Sequence, residues 1–363
     1  MTRTKNAILV SALLSTALWA APAFAQSTPP GSEGTGESPR AAPGAPIELH
    51  ISEAKPLTPK LEAGEAARAA PMSEDKAVES FSILTINKDG QETKTETPAE
   101  VKDAVIEGMN AEANRSFKPI EKVEDPAFSA GDEAGRTVFG GDDRVQINNT
   151  TVYPFTTIGY ILGKTKSGAY GACSGTLIGP RTVLTAAHCL YNHDDGGWLS
   201  ELIFAPGLNG IENAPLGVYA YESASIVQGY VSNYQGYYGS VLPWDLGVLT
   251  LQQPIGDSLG WMAAQHVDNL GDFSANIVGY PGDKPSGTMW RATCDILAED
   301  INSDLMDFYC DTAPGSSGSS IYAYDSSTKQ RVILGVNIAY SVEVNTGTRL
   351  NAGNIAWLNS LWK

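Results

Sequence analysis

What most constrains this chain is a change of texture after Arg136. From there on, apolar runs of strand length recur: Phe155–Ile161, Thr176–Ile178 with Thr182–Leu184, Leu202–Phe204, Leu246–Leu251, Ala275–Val278, Phe308–Cys310, Ser320–Tyr322 and Val332–Val336. Gly, Pro, Asn and Asp separate them, the residues that set turns. Many short strands bury their side chains only in a sandwich or a barrel, so residues 137–363 read as all-β. Only Gly353–Trp362 has helical spacing, with Ile355, Leu358, Leu361 and Trp362 on one side.

The residues ahead of that boundary read differently. Arg3 and Lys5, the apolar run Ala7–Ala20 and Ala23-Phe24-Ala25 form a secretory signal over residues 1–25, cut after Ala25. The apolar run is short for a bilayer and no later segment reaches membrane length, so no membrane partner is expected once the signal is gone. A signal anchor is the lesser reading. The chain is expected outside the cytoplasm, extracellular or periplasmic. Residues 26–79 are rich in Pro, Ala, Glu, Gly and Ser and hold too little apolar surface to offset their ordering entropy, which predicts disorder. Within residues 80–125, Phe81–Ile86 alternates like a strand, Asp89-Gly90 supplies a turn, and Pro98–Glu112 has helical spacing. A small folded unit is expected there.

Charge and cysteines narrow the function. The net charge is −17, and from Thr137 onward 10 Lys+Arg face 20 Asp+Glu, which argues against nucleic acid or an anionic membrane as partner. Four cysteines, Cys173, Cys189, Cys294 and Cys310, suit an oxidising compartment. They allow three connectivities, of which two sequence-local pairs are the simplest, each worth roughly 3 kcal/mol in the chain-entropy model. No CxxC spacing suggests zinc, and no metal or cofactor is expected.

The chemistry centres on Asp311-Thr312-Ala313-Pro314-Gly315-Ser316-Ser317-Gly318-Ser319. Small residues there permit a sharp turn that holds the Ser317 hydroxyl off the main chain, with the N–H groups of Gly315 and Ser317 able to converge as an oxyanion hole. Gly/Ser turns also occur without chemistry, so a base and an acid are needed. His50 lies in the low-complexity part, His193 in a hydrophilic turn beside Asp194 and Asp195 that should be solvated, and His266 lacks a recognisable partner. His188 follows a buried strand and precedes Cys189, which makes it the candidate base. Asp245, after an aromatic and before an apolar strand, is the candidate acid, because a buried carboxylate requires a partner.

Thr185-Ala186-Ala187-His188-Cys189, Asp245-Leu246-Gly247-Val248 and Gly315-Ser316-Ser317-Gly318-Ser319, in that order, resemble the chymotrypsin-like serine proteases. The nearer likeness is to the bacterial secreted glutamyl endopeptidases, and it extends to Asp142-Asp143-Arg144 and Gly279-Tyr280-Pro281-Gly282. The resemblance implies two six-stranded antiparallel β-barrels with the site between them, a terminal helix, and a Cys173–Cys189 clamp on the histidine loop. It implies attack by Ser317, proton transfer by His188 and orientation of His188 by Asp245. It also implies a proenzyme: residues 26–136 as a propeptide for latency or folding, cut between Arg136 and Thr137, and residues 137–363 as the protease domain.

Pocket residues follow from the same likeness. Asn337 stands where the glutamyl enzymes carry a histidine, which weakens the attraction to a Glu side chain. Tyr340 stands where small residues leave the pocket open, Asp311 stands where an acidic residue selects Lys or Arg in trypsin-type enzymes and where some glutamyl enzymes also carry Asp, and Thr312 suits the lining of either pocket. The reading is therefore a monomeric secreted serine endopeptidase acting on protein or peptide substrates, with Glu or Asp preference in doubt. Its rivals are a serine protease of other specificity, a silent protease-like binding protein blocked by Tyr340, and a non-proteolytic acyl hydrolase.

Overall fold

The computed structural model describes residues 49–59, 61, 72–111, 125, 141–341 and 343–363. In chain order, β1 (Lys55–Pro56), α1 (Glu74–Ser80), β2 (Ile83–Asn87), β3 (Glu92–Thr95) and α2 (Ala99–Ala111) precede β4 (Val145–Gln146). Next come β5 (Ile158–Lys164), β6 (Tyr170–Leu177), β7 (Thr182–Thr185), the hairpin of β8 (Tyr191–Asn192) and β9 (Gly197–Trp198), and β10 (Ser200–Pro206). β11 (Tyr219–Val227), the short α3 (Gly229–Ser232) and β12 (Gly247–Leu251) complete the first half. The second half holds α4 (Gly256–Leu259), β13 (Ala263–Ala264), β14 (Phe273–Gly279), β15 (Trp290–Ile296), β16 (Leu305–Phe308), β17 (Ser320–Asp325), β18 (Gln330–Tyr340) and β19 (Asn345–Arg349). α5 (Ala352–Leu361) ends it.

Six strands close the first barrel in the order β10-β5-β6-β7-β12-β11, with β11 returning to β10 at Ala220 and Tyr219. Fully buried Ile161, Leu177, Leu184, Phe204 and Leu249 fill it. The second half departs from the expectation of a second closed barrel. Its strands follow the open path β16-β19-β18-β17-β14-β15, and among the described residues β15 and β16 do not pair. The free edge of β16 is taken by its own chain folding back, through a bridge from Ile301 to Met306. The disulfide between Cys294 on β15 and Cys310 just beyond β16 staples that seam. The other disulfide joins Cys173 and Cys189, so both local pairs form.

α5 forms at the expected place. Asn351 caps it by accepting the Asn354 N–H at 2.9 Å, and Ile355, Trp357 and Leu358 are buried.

The N-terminal elements are part of the same body. The β2–β3 hairpin turns at Asp89-Gly90 as expected, with Asn87 Oδ1 accepting the N–H of Asp89 and of Gln91. β2 then pairs antiparallel with the outer edge of β11, from Ser223↔Asn87 to Val227↔Ile83. α2 buries Val101 and Val105, and a Cβ on Gly353 of α5 would lie 2.8 Å from the Val105 side chain. The unit expected over residues 80–125 is thus docked on the barrel and begins earlier, at α1. The disorder expected over residues 26–79 is overturned where that stretch is described: Leu49–Pro59 is ordered, with Ile51 and Pro59 buried, and α1 begins at Glu74, while the other residues of 26–79, apart from 61, 72 and 73, lie outside the described residues. The reason for the order at Leu49–Pro59 is external support: β1 pairs with β6, and the Leu57 N–H donates to Ala172 O at 2.9 Å. Residues 1–48, with the signal segment and Ala25, and the Arg136–Thr137 junction lie outside the described residues.

Candidate active site

The three predicted side chains arrive from different elements and meet at one cleft. β7 delivers Thr185 and Ala186 into a tight turn at Ala187–Cys189, so His188 is buried, pinned by the Cys173–Cys189 bridge. Asp245 leaves a turn at Leu242–Trp244 just before β12 and is fully buried. Its Oδ1 accepts the backbone N–H of His188 at 3.0 Å, and its Oδ2 lies 2.7 Å from His188 Nδ1. A buried carboxylate held on both oxygens by one residue fixes the ring plane and the Nδ1–H tautomer.

The Ser317 turn depends on two glycines. Gly315 has φ 100° and Gly318 φ 82°. A Cβ would come within 2.6 Å of Tyr280 O at the first and 2.2 Å of Ser174 O at the second. No other residue type fits either place. The Pro314 carbonyl accepts the Gly282 N–H at 2.7 Å, and because a trans peptide points its C=O and N–H oppositely, the Gly315 N–H faces the cleft. There it donates to Thr58 Oγ1 at 3.1 Å. Among the described residues the Ser317 N–H makes no hydrogen bond, which leaves it available as a second donor.

Ser317 Oγ and His188 Nε2 are joined through an intervening segment. Ser317 Oγ is 2.6 Å from Thr58 Oγ1, Thr58 Oγ1 is 2.7 Å from Leu57 O, and Leu57 O is 3.2 Å from His188 Nε2. Ser317 and His188 therefore close on the same two residues, Leu57 and Thr58.

Two residues that sequence reasoning missed hold the site together. Ser174 on β6 donates to Gly315 O and accepts the Tyr280 N–H, both at 2.9 Å, while its backbone N–H donates to Ser317 O at 2.8 Å. Thr348 on β19 donates to Leu242 O at 3.0 Å and Asp245 O at 3.3 Å, which ties the acid's turn to the opposite half of the fold. Single Ser and Thr residues inside strands carry no sequence signal for such work.

The expected pocket residues are less united. Asn337 is buried on β18, and its Nδ2 donates to Ser316 O at 3.0 Å, so its amide supports the Ser317 turn. Its Oδ1 has no partner among the described residues. Asp311 accepts the Asp143 N–H at 3.1 Å, and Thr312 beside it is half-buried. Tyr340, also half-buried, is engaged by backbone: its carbonyl accepts the Leu61 N–H at 3.0 Å. His193 departs from its expected exposure. It is half-buried, stacks on Tyr234 with ring centroids 3.7 Å apart, and burial pulls its pKa down. His266 pairs with Asp268 at 2.8 Å, so it does have a partner, and His50 stacks on Tyr170.

The family model for trypsin matches residues 148–346, more than half of the chain. The chain belongs to the trypsin family. It is 31% identical over 208 residues to a glutamyl endopeptidase of Bacillus licheniformis, a match covering 57% of this chain and 61% of that protein. It is also 31% identical over 221 residues to an extracellular metalloprotease of Bacillus subtilis, covering 60% and 65%. It thus spans less than two thirds of the length of these relatives. Among solved structures, a Glu endopeptidase in complex with MPD superposes with TM-score 0.53 and 26% identity, over 62% of this chain and 99% of that one. The residues matched by the trypsin family model, 148–346, take in β5 to β18 of this trypsin-family chain.

Proposed function

We propose that the chain is a serine endopeptidase, made as a secreted proenzyme, that hydrolyses peptide bonds through an acyl-enzyme. The observation that carries this reading is the buried Asp245–His188 pair closing on the same point as Ser317 and the Gly315 N–H. Ser317 Oγ attacks the scissile carbonyl carbon while His188 Nε2 takes its proton. The carbonyl oxygen, now negative, is held by the N–H groups of Gly315 and Ser317. His188 returns the proton to the leaving amine, and a water molecule repeats the sequence to free the acid. Asp245 keeps Nδ1 protonated and stabilises the imidazolium formed at each transfer.

A metal mechanism, which the name of the Bacillus subtilis relative brings to mind, does not fit these residues. Among the described residues the one group with ligand spacing is Cys173, His188 and Cys189, and both of its sulfurs are in one disulfide. Specificity for Glu, which the names of other relatives suggest, is the weaker part of the reading. One of the two Asn337 amide N–H groups is spent on Ser316 O, and Asn brings no positive charge toward a substrate carboxylate.

The signal over residues 1–25, the pro-region over 26–136 and a mature domain from Thr137 complete the proposal, with a monomer acting on protein or peptide substrates. Profiling the processed chain on a peptide library gives the residue preferred at the cleaved bond. The Ser317→Ala chain should lose on the order of 10⁴ to 10⁶ in kcat in the same assay. Peptide hydrolysis retained by that variant refutes the assignment.

A further inference from the structure

The residues that fill the cleft belong to this chain's own N-terminal part, and they meet the reacting groups in a way that presents no bond to cut. Lys55-Pro56-Leu57-Thr58-Pro59 carries two prolines, which hold the backbone extended around Leu57 and Thr58. On one side β1 pairs parallel with β6, Lys55 opposite Gly171 and Pro56 opposite Ala172, and the Leu57 N–H reaches Ala172 O at 2.9 Å. On the other side the Leu61 N–H donates to Tyr340 O at 3.0 Å, and the Tyr340 N–H faces Pro59 O at 3.5 Å. Bonds from one residue to the positions before and after its neighbour are the parallel pattern again. The described residues 55–59 and 61 are thus held by backbone bonds at β6 and at Tyr340.

Between the anchors sits a side chain where a substrate carbonyl oxygen would be. Thr58 Oγ1 accepts the Gly315 N–H, stands 2.6 Å from Ser317 Oγ, and donates its own proton to Leu57 O. With that proton spent on Leu57, Ser317 is the donor in the remaining bond, so its hydroxyl proton points at Thr58 and away from His188. His188 Nε2 faces Leu57 O while Nδ1 faces the Asp245 carboxylate. The nitrogen that would take the Ser317 proton is thus turned to Leu57 O instead. Two glycines make room. A Cβ on Gly171 would meet Leu57 Cδ1 at 2.4 Å, and one on Gly282 would meet Pro56 Cγ at 2.2 Å.

We infer that Lys55–Pro59 is a built-in inhibitor of the cleft and that the Thr58 hydroxyl is the group that occupies the oxyanion hole and engages Ser317. The cleft is by the same token a binding site for extended peptides of Pro-Leu-Thr-Pro type supplied from outside. This rests on reading Ser317 and His188 as the reacting pair.

The test uses the full-length chain, its unprocessed state checked by mass, beside the processed chain, both treated with a fluorophosphonate. Unprocessed wild type should label at Ser317 at least about tenfold more slowly than processed chain, and unprocessed Thr58→Val should recover most of that difference. A synthetic peptide of residues 53–62 should inhibit peptide hydrolysis by the processed chain, with its Thr58→Val version about tenfold weaker. Equal labelling of processed and unprocessed wild type overturns the inference and leaves the catalytic reading standing. Slow labelling that persists in Thr58→Val, with equal potency of the two peptides, overturns the role of Thr58. A processed chain that takes no label removes the catalytic reading, and this inference falls with it.

Discussion

Asp245 holds His188 twice, by the backbone N–H at 3.0 Å and by ring Nδ1 at 2.7 Å, so position and tautomer of the imidazole are fixed by one buried carboxylate. Asp245→Asn keeps an oxygen for the backbone N–H but turns an amide donor toward Nδ1, which favours the wrong tautomer. In the processed chain kcat should fall about 10⁴-fold with little change in far-UV circular dichroism. A loss below tenfold, read from initial rates on a peptide substrate, would remove Asp245 from the role.

Thr348 reaches that acid from the other half of the fold. Its buried hydroxyl donates to Leu242 O and Asp245 O, and Thr348→Val removes that donor from Asp245 O, while Leu242 O keeps the Asp245 N–H at 3.1 Å. The expected cost is about 1–3 kcal/mol, seen as a lower denaturant midpoint with unchanged slope. An unchanged midpoint would show that the tie contributes nothing.

Gly318→Ala tests the turn itself. Its φ of 82° and the 2.2 Å approach to Ser174 O leave no room for a methyl group. The strain should exceed about 1 kcal/mol and shift Ser317, so activity should fall much further than thermal stability. Wild-type kcat in a folded Gly318→Ala chain contradicts the stated geometry.

The segment before β4 ties into the same loops and gives a pH signature. Asp142 pairs with the Arg144 guanidinium at 2.9 Å and with Lys284, and Arg144 also holds Asp283, next to the Gly282 that orients Gly315. The Arg144 hydrogen bond holds the Asp142 carboxyl well below its usual range. A depressed carboxyl stabilises above its unfolded pKa of about 3.9, and the contribution is lost as pH falls through the lower folded value. The melting temperatures of wild type and Asp142→Asn should therefore differ by a constant amount between about pH 5 and 7 and begin to converge as pH falls below about 4. A difference that persists unchanged at low pH would contradict the pairing.

Much of the site was legible because its chemistry is local in sequence. His188 sits beside Cys189 at a strand end, Ser317 lies between glycines whose positive φ and close contacts tolerate no other residue, and Asp245 has an apolar run on one side and an aromatic on the other. The two disulfides are the sequence-local pairs, the simplest of the three connectivities that four cysteines allow. What was not legible depends on partners far along the chain. Leu57 and Thr58 lie in sequence too polar and Pro-rich to signal order, and gain their place from β6 and Tyr340. β2 read as a strand, but nothing in Ile83–Asn87 says that it continues the edge of β11. His193 read as exposed because its neighbours in sequence are polar, whereas its neighbours in space are Tyr191, Tyr230, Tyr234 and Tyr238.

The most direct test of the account is the identity of the residue that reacts. Processed chain treated with a fluorophosphonate and digested for mass spectrometry should carry one adduct, on Ser317, formed orders of magnitude more slowly when His188 is replaced by Ala. An adduct on any other serine, or peptide hydrolysis that continues with Ser317 unmodified, would contradict it.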